Sequence, residues 1–211
     1  MRLIDALAAL TAMQADVFDT RDAAAHLGID TAHTSTVLAR LAATRHVVRL
    51  RRGVWAFPDR VDPLALPEFL TSPFPSYVSL QSALYLHGMI EQVPAVTYAV
   101  SLARSRRYTT PLGTVSIHHV DAGFFFGFED AGSGGRLATP EKALVDVLYL
   151  APARSKLFRA LPELELPARF SARRARAIVA RIGTARRRTM VSRALEALLR
   201  PAASPAATRL P

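Results

Sequence analysis

The chain contains no cysteine, which excludes disulfides and thiolate metal sites and leaves the redox compartment unreadable. Lysine is nearly absent. Only Lys142 and Lys156 occur, so almost all of the positive charge is guanidinium. No apolar run approaches the roughly 20 residues that span a bilayer, so no membrane partner is expected. The N-terminal residues set Asp5 among Leu3, Leu7 and Leu10 at helical spacing, which suits a first bundle helix better than a signal peptide. These absences predict a soluble, cytoplasmic protein.

Half of the 211 residues are hydrophobic, enough to build one large core or two small ones. The formal net charge is +10. Arginine is a planar fork suited to phosphate, although an Ala- and Arg-heavy composition is also what a GC-rich genome produces.

Residues 17–57 read in order as a winged helix-turn-helix. Val17-Phe18 is a short apolar step, Thr20 is expected to cap a helix, Asp22 suits its first turn, and Leu27-Gly28 closes it. Asp30 is expected to cap a second helix running to about Thr44. His46 to Phe57 then alternates as a β-hairpin. With Arg52-Gly53 at the tip, Val48 and Leu50 lie opposite Phe57 and Trp55 on one apolar face, and Arg49 and Arg51 point the other way. Arg-Gly is an imperfect two-residue tip, so a bulged loop with Gly53 left-handed is the alternative.

At 100° per residue the second helix gathers Thr34, Val37, Leu38 and Leu41 on one arc. The opposite arc carries Ala32, Ser35, Thr36, Ala39 and Ala43, with His33 and Arg40 at its margin. Small side chains let a helix backbone approach a major groove closely. The same pattern fits an amphipathic helix with a bland solvent face; the arginine-rich hairpin directly after it favours DNA. The expected contacts are therefore Ser35, Thr36 and Arg40 towards base edges, with His33 as a further DNA-binding candidate at the margin of that face, and Arg45, Arg49, Arg51 and Arg52 on phosphates or in the minor groove.

Prolines 58, 63, 67, 73 and 75 punctuate a connector, within which Leu64–Leu70 could form a short helix. Ser79 is expected to cap a helix stopping at Gly88. Strands are expected over Thr97–Leu102, Arg104–Thr110, Thr114–Val120 and Phe124–Phe128, with a turn at 132–135. Thr139-Pro140-Glu141-Lys142 is a strong helix start, burying Ala143, Leu144, Val147 and Leu148. Between residues 169 and 200 there are ten arginines and one acid, Glu196, a local balance of +9. Two apolar stripes, Ala175/Ile178/Val179/Ile182 and Met190/Val191/Ala194/Leu195/Leu198, make these two basic amphipathic helices, able to dock a partner or a second protomer. Arg104, Arg106, Arg107, Arg173, Arg174, Arg187 and Arg188 are candidates for additional DNA or partner contacts.

The fold class expected is α+β. A winged helix-turn-helix occupies 1–58, a mixed α/β domain 59–165, basic helices packed on it 166–200, and a disordered tail 201–211. No catalytic residue, metal or cofactor is expected. His26, His33, His46, His87, His118 and His119 form no metal-ligand spacing, and His118 and His119 point to opposite faces of a strand. Gly132-Ser133-Gly134-Gly135 lacks the Lys-Ser or Lys-Thr of a phosphate loop. Glu141-Lys142 with Asp121 and Asp146 could be imagined as a nuclease-like carboxylate cluster, but first-turn electrostatics already accounts for Glu141, and Asp146 lies a turn further along. RNA binding through the arginine-rich helices is weaker, for want of a stacking platform.

Phe18-Asp19-Thr20-Arg21-Asp22-Ala23-Ala24, Leu50-Arg51-Arg52-Gly53-Val54-Trp55, the run Tyr77 to Gly88 with Gln92-Val93-Pro94, and Ala138 to Asp146 together resemble the AbiEi family of bacterial antitoxins and transcriptional regulators. The likeness covers residues 15–150, and its Ser-Leu-x-Ser-Ala-Leu-Tyr-x-His-Gly and Ala-Thr-Pro-Glu-Lys-Ala runs are its specific parts. The resemblance implies a winged helix bound to double-stranded promoter repeats. It also implies an α/β domain that assists binding or neutralises a nucleotidyltransferase-like toxin encoded alongside. A homodimer is compatible with it. A stand-alone regulator, or a toxin-neutralising module with nonspecific nucleic-acid binding, is the alternative.

Overall fold

Two aspartates set the helix starts of the N-terminal unit. In the computed structural model, which describes residues 2–132, 134–151 and 164–200, the chain begins with α1 (Leu3–Ala12), β1 (Val17–Asp19), α2 (Thr20–Leu27) and α3 (Thr31–Ala43). Asp19 Oδ1 accepts from the amides of Arg21 and Asp22, and the Asp22 carboxylate accepts from the Asp19 amide, closing a capping box. Thr20, the expected cap, is instead the first helical residue. Asp30 caps α3 by accepting from the Ala32 and His33 amides.

The hairpin β2 (Val48–Arg51) and β3 (Val54–Ala56) joins β1 in an antiparallel sheet ordered β1-β3-β2. Its register differs from the expectation. Trp55 lies opposite Arg49, and a bulge between Arg49 and Arg51 restores pairing at Val54. Gly53 stands at the tip with φ +77°, as the bulged alternative requires. The shift changes what each face touches. Trp55, Phe57, Val47 and Phe18 pack with Ala6, Leu10, Val37, Leu38 and Leu41 under the helices. Val48, Leu50 and Ala56 turn to the other side, where the rest of the protein covers them.

That covering is built from α4 (Leu66–Thr71) and a six-stranded mixed sheet. Its strands are β4 (Ser76–Val78), β5 (Thr97–Ser101), β6 (Arg106–Thr110), β7 (Gly113–His119), β8 (Phe128–Gly132) and β9 (Gly135–Ala138), ordered β6-β7-β5-β4-β9-β8. Strands β5 and β7 run parallel, as do β4 and β9. Alternation along β5 divides the core. Ala99 joins Val115, Ile117, Leu66 and Leu70 against the N-terminal hairpin, whereas Val100 points into the cluster beneath α5 (Leu80–Leu86) and α6 (Pro140–Leu150).

Residues 124–128 are not the expected strand. A 3₁₀ turn covers Ala122–Phe124, and pairing starts only at Phe128. Phe124 is buried and stacks on Tyr149 with centroids 4.3 Å apart. Gly127 turns at φ +80°, where a Cβ would meet the Lys142 stem at 3.1 Å. The chain bends because it folds over Lys142.

Helices α7 (Ala172–Ala180) and α8 (Ala185–Leu199) lie on α6, with Ala175, Val179, Ile182, Val191 and Leu195 buried. The stripes able to dock a partner are thus largely covered within the chain, with Met190 left exposed. The layers run α1–α3, small sheet, large sheet with α4, α5–α6, then α7–α8. The architecture is mixed α+β. Part of the expected domain 59–165, at 152–163, and the expected tail at 201–211 lie outside the described residues.

Candidate nucleic-acid interface

Helix α3 turns Thr34, Val37, Leu38 and Leu41 inwards, leaving Ala32, His33, Ser35, Thr36, Ala39, Arg40 and Ala43 at or towards the surface. Thr34 is fully buried and returns its hydroxyl to the Asp30 carbonyl at 2.8 Å. The hydroxyls of Ser35 and Thr36 likewise donate to the carbonyls of Thr31 and Ala32, at 2.7 and 3.2 Å, keeping their lone pairs outward. The His33 amide, then that of Ala32, holds the Asp30 carboxyl below its ordinary range, opposed by partial desolvation. An anionic cap there fixes the end of the helix nearest His33.

Arg45 follows α3 in the left-handed region at φ +59°, exposed beside His46. Arg49 is exposed on β2, with its guanidinium 5.6 Å from the Trp55 ring centroid. Arg52 is exposed at the hairpin tip. A cleft of about 720 Å³ runs beside Arg45 and Arg49, lined also by Val48, Asp59 and, from the turn between β6 and β7, Pro111 and Leu112.

Arg51 does something else. Its Nε donates to the Phe69 carbonyl at 3.4 Å and an NH2 to the Ser72 carbonyl at 3.3 Å, at the C-terminal end of α4. Its charge there meets the negative end of that short helix. The expected pairing of Arg49 and Arg51 on one free face is therefore corrected: only Arg49 and Arg52 extend to solvent, and Arg51 ties the hairpin to the second unit.

The further candidates divide in the same way. Arg104, Arg106 and Arg107 are exposed at the outer edge of the large sheet, with Arg106 over the Tyr108 ring at 5.0 Å. Arg173 and Arg174 are exposed on α7. Arg187 lies 4.6 Å over the Tyr149 ring, and Arg188 donates to the Ile182 carbonyl at 2.9 Å, so both are engaged within the chain.

The most polar part of the interior was not anticipated. Asp146 is fully buried and accepts from Tyr77 Oη at 3.0 Å, Ser79 Oγ at 2.7 Å and the Lys142 ammonium. Lys142 is itself fully buried, with Nζ 3.6 Å from the Phe124 ring centroid. Burial pushes Asp146 up and Lys142 down, and each charge opposes the other's shift. Ser79, expected as a helix cap, spends its hydroxyl here. The signal was present as Lys142 and Asp146 at i,i+4 on an otherwise apolar helix. Glu141 is buried apart from this group, accepting from the Ser171 amide at 2.8 Å, so the imagined carboxylate cluster does not assemble. Among the described residues no group of three His, Asp or Glu side chains is placed to hold a metal ion, and no helix is long and apolar enough to cross a membrane.

His87, at the end of α5, bridges elements. Its Nε2 lies 2.7 Å from the Ala138 carbonyl, and Arg169 donates to its Nδ1 at 2.9 Å. His118 is half-buried with its imidazole pushed down by desolvation, and His119 is exposed.

No curated protein matches the chain. Residues 5–58, the unit that presents α3 and the arginine hairpin, match the model of the family described as transcriptional regulator, AbiEi antitoxin, the family that the sequence motifs resemble.

Proposed function

We propose that this chain is a DNA-binding transcriptional regulator whose N-terminal unit is a winged helix-turn-helix. The observation that carries the reading is the exposed face of α3. It combines short side chains with Arg40, and Arg45, Arg49 and Arg52 stand exposed around it in the same unit that matches the family. In this reading Ser35, Thr36 and Arg40, with His33 at the margin, meet base edges in the major groove, while Arg45, Arg49 and Arg52 neutralise phosphates. Arg51 holds the wing against α4 and contacts no DNA. Arg104, Arg106 and Arg107 extend the footprint along the edge of the large sheet.

The resemblance extends the proposal to an antitoxin that represses its own promoter and counteracts a nucleotidyltransferase-like toxin. Catalysis forms no part of it, because the buried Lys142–Asp146 pair is closed to solvent and serves the core.

A mobility-shift assay with DNA from upstream of the chain's own gene tests the regulator reading. It is expected to bind at a lower protein concentration than a scrambled duplex of equal length. Equal binding of the two contradicts sequence-specific regulation. Co-expression with the neighbouring reading frame tests the antitoxin reading: growth rescue is expected, and continued growth arrest contradicts it.

A further inference from the structure

The arginines of α7 and α8 are not used alike. Arg187 and Arg188 are turned onto the chain itself, over Tyr149 and to the Ile182 carbonyl. Arg176 pairs with Glu196 at 2.7 Å and staples the two helices together. Arg186 and Arg193 fall at seven-residue spacing on the outer line of α8, about 10.5 Å apart because seven residues nearly complete two turns, and Arg200 follows as the extended residue that ends the helix. All three are exposed, as are Arg173 and Arg174 on α7. The apolar stripes of both helices are spent on α6, and Met190 is the one large apolar side chain exposed on either helix among the described residues.

A cationic face whose one exposed large apolar side chain is Met190 is poorly made for docking a protein, whose binding energy concentrates in clusters of buried aromatic and aliphatic anchors. It is well made for a phosphate backbone, which rewards rows of guanidinium groups and needs no apolar anchor. Its position adds a second constraint. Helix α3 lies in the outermost layer on one side of the molecule and α7–α8 in the outermost layer on the other, with two sheets and the α5–α6 layer between. One straight duplex cannot lie against both.

We propose that the outer face of α7–α8, with Arg186, Arg193 and Arg200 as its main row and Arg173 and Arg174 beside it, is a second, sequence-independent duplex-DNA site. It engages a different DNA segment from the one at α3, so that a single chain can hold two duplexes. The proposal rests on the N-terminal reading for the first of them.

Two-duplex capture by the full chain tests it. Protein bound to immobilised upstream DNA is offered a labelled random-sequence duplex. Wild type is expected to retain the second duplex. The triple variant Arg186→Ala/Arg193→Ala/Arg200→Ala is expected to bind the first duplex but to hold the second at least about ten-fold more weakly, as removal of two or three guanidinium–phosphate pairs requires. The corresponding triple lysine variant restores capture. Should the alanine triple fail to fold, Arg193→Glu alone carries the same expectation from one exposed turn of helix. Undiminished capture by these variants overturns the proposal, whether because a dimer bridges through two N-terminal units or because the face serves an acidic protein. Failure of the N-terminal reading shows separately, as unchanged binding of the first duplex by Arg49→Ala/Arg52→Ala.

Discussion

The Trp55 indole Nε1 donates to the Thr20 hydroxyl at 3.0 Å, joining the middle strand of the hairpin sheet to the first residue of α2. The Thr20 amide and hydroxyl in turn both reach the Gly53 carbonyl at the hairpin tip, at 2.9 and 3.3 Å. One threonine thus holds the tip and the helix pair in a fixed relation, and the geometry of the proposed DNA surface depends on that relation.

Thr20→Val removes the acceptor and leaves a buried indole N–H unsatisfied, so a destabilisation of about 1–3 kcal/mol is expected, while Thr20→Ser retains most of the wild-type stability. Trp55 is the only tryptophan, so its fluorescence during denaturant unfolding reads the effect directly. A Thr20→Val midpoint equal to wild type would remove Thr20 from the account.

Arg51 and Arg52 are neighbours with opposite assignments. Arg51→Ala is expected to lower stability by about 1 kcal/mol, the net worth of a typical hydrogen bond, with DNA affinity changing only through the loosened hairpin. Arg52→Ala is expected to leave the unfolding midpoint unchanged and to weaken binding to all sequences. Thermal unfolding and anisotropy on the same two variants check the pair, and the reverse pattern contradicts the assignment.

Breaking the buried pair in α6 is expected to be the most damaging change. Lys142→Met leaves the Asp146 carboxylate without its cation, at a cost of about 3–5 kcal/mol. Tyr77→Phe removes one donor to a charged group and is expected to cost about 1.5–3 kcal/mol. Burial, then the Asp146 charge and hydrogen bond, raises the Tyr77 phenol well above its usual range. Its contribution is therefore complete below pH 10 and declines as alkaline pH ionises the unfolded chain, so stability above pH 10 should fall more steeply in wild type than in Tyr77→Phe. Equal slopes would contradict this.

Asp30 titrates at the other end of the scale. Its folded carboxyl sits below the ordinary 3.8, so its contribution is present above that value and disappears as acid protonates the folded cap. Asp30→Asn keeps an acceptor for the His33 amide but removes the charge, and is expected to flatten stability between about pH 5 and the acid limit. Identical acid profiles for the two proteins would refute the cap's ionic contribution.

Much of the local structure is legible in the sequence, and the exceptions share a cause. The inward arc Thr34/Val37/Leu38/Leu41 and the Thr139 cap need only helical periodicity and capping chemistry, which are local. The hairpin alternation is also legible. Its register is not, because Val48 and Leu50 are drawn to Ala99, Val115 and Ile117, residues far along the chain. Thr20 reads as the cap in sequence, but Asp19 takes that place, and the Thr20 hydroxyl is claimed by the Trp55 indole from far along the chain. The run at 124–128 has strand composition, yet Lys142 needs Phe124 over its ammonium, and the chain bends to place it. Arg51 looked like its neighbours until α4 supplied two carbonyls. Arginine identity is legible; what each arginine touches depends on tertiary packing.

The salt dependence of binding to the upstream duplex tests the α3 and wing surface most directly, comparing wild type with Arg49→Ala/Arg52→Ala. The slope of log affinity against log salt is expected to shallow by about 0.9 for each phosphate no longer neutralised, close to two in all, with affinity for every sequence reduced alike. A double variant with the wild-type slope and affinity would contradict the claim that this helix and hairpin grip DNA.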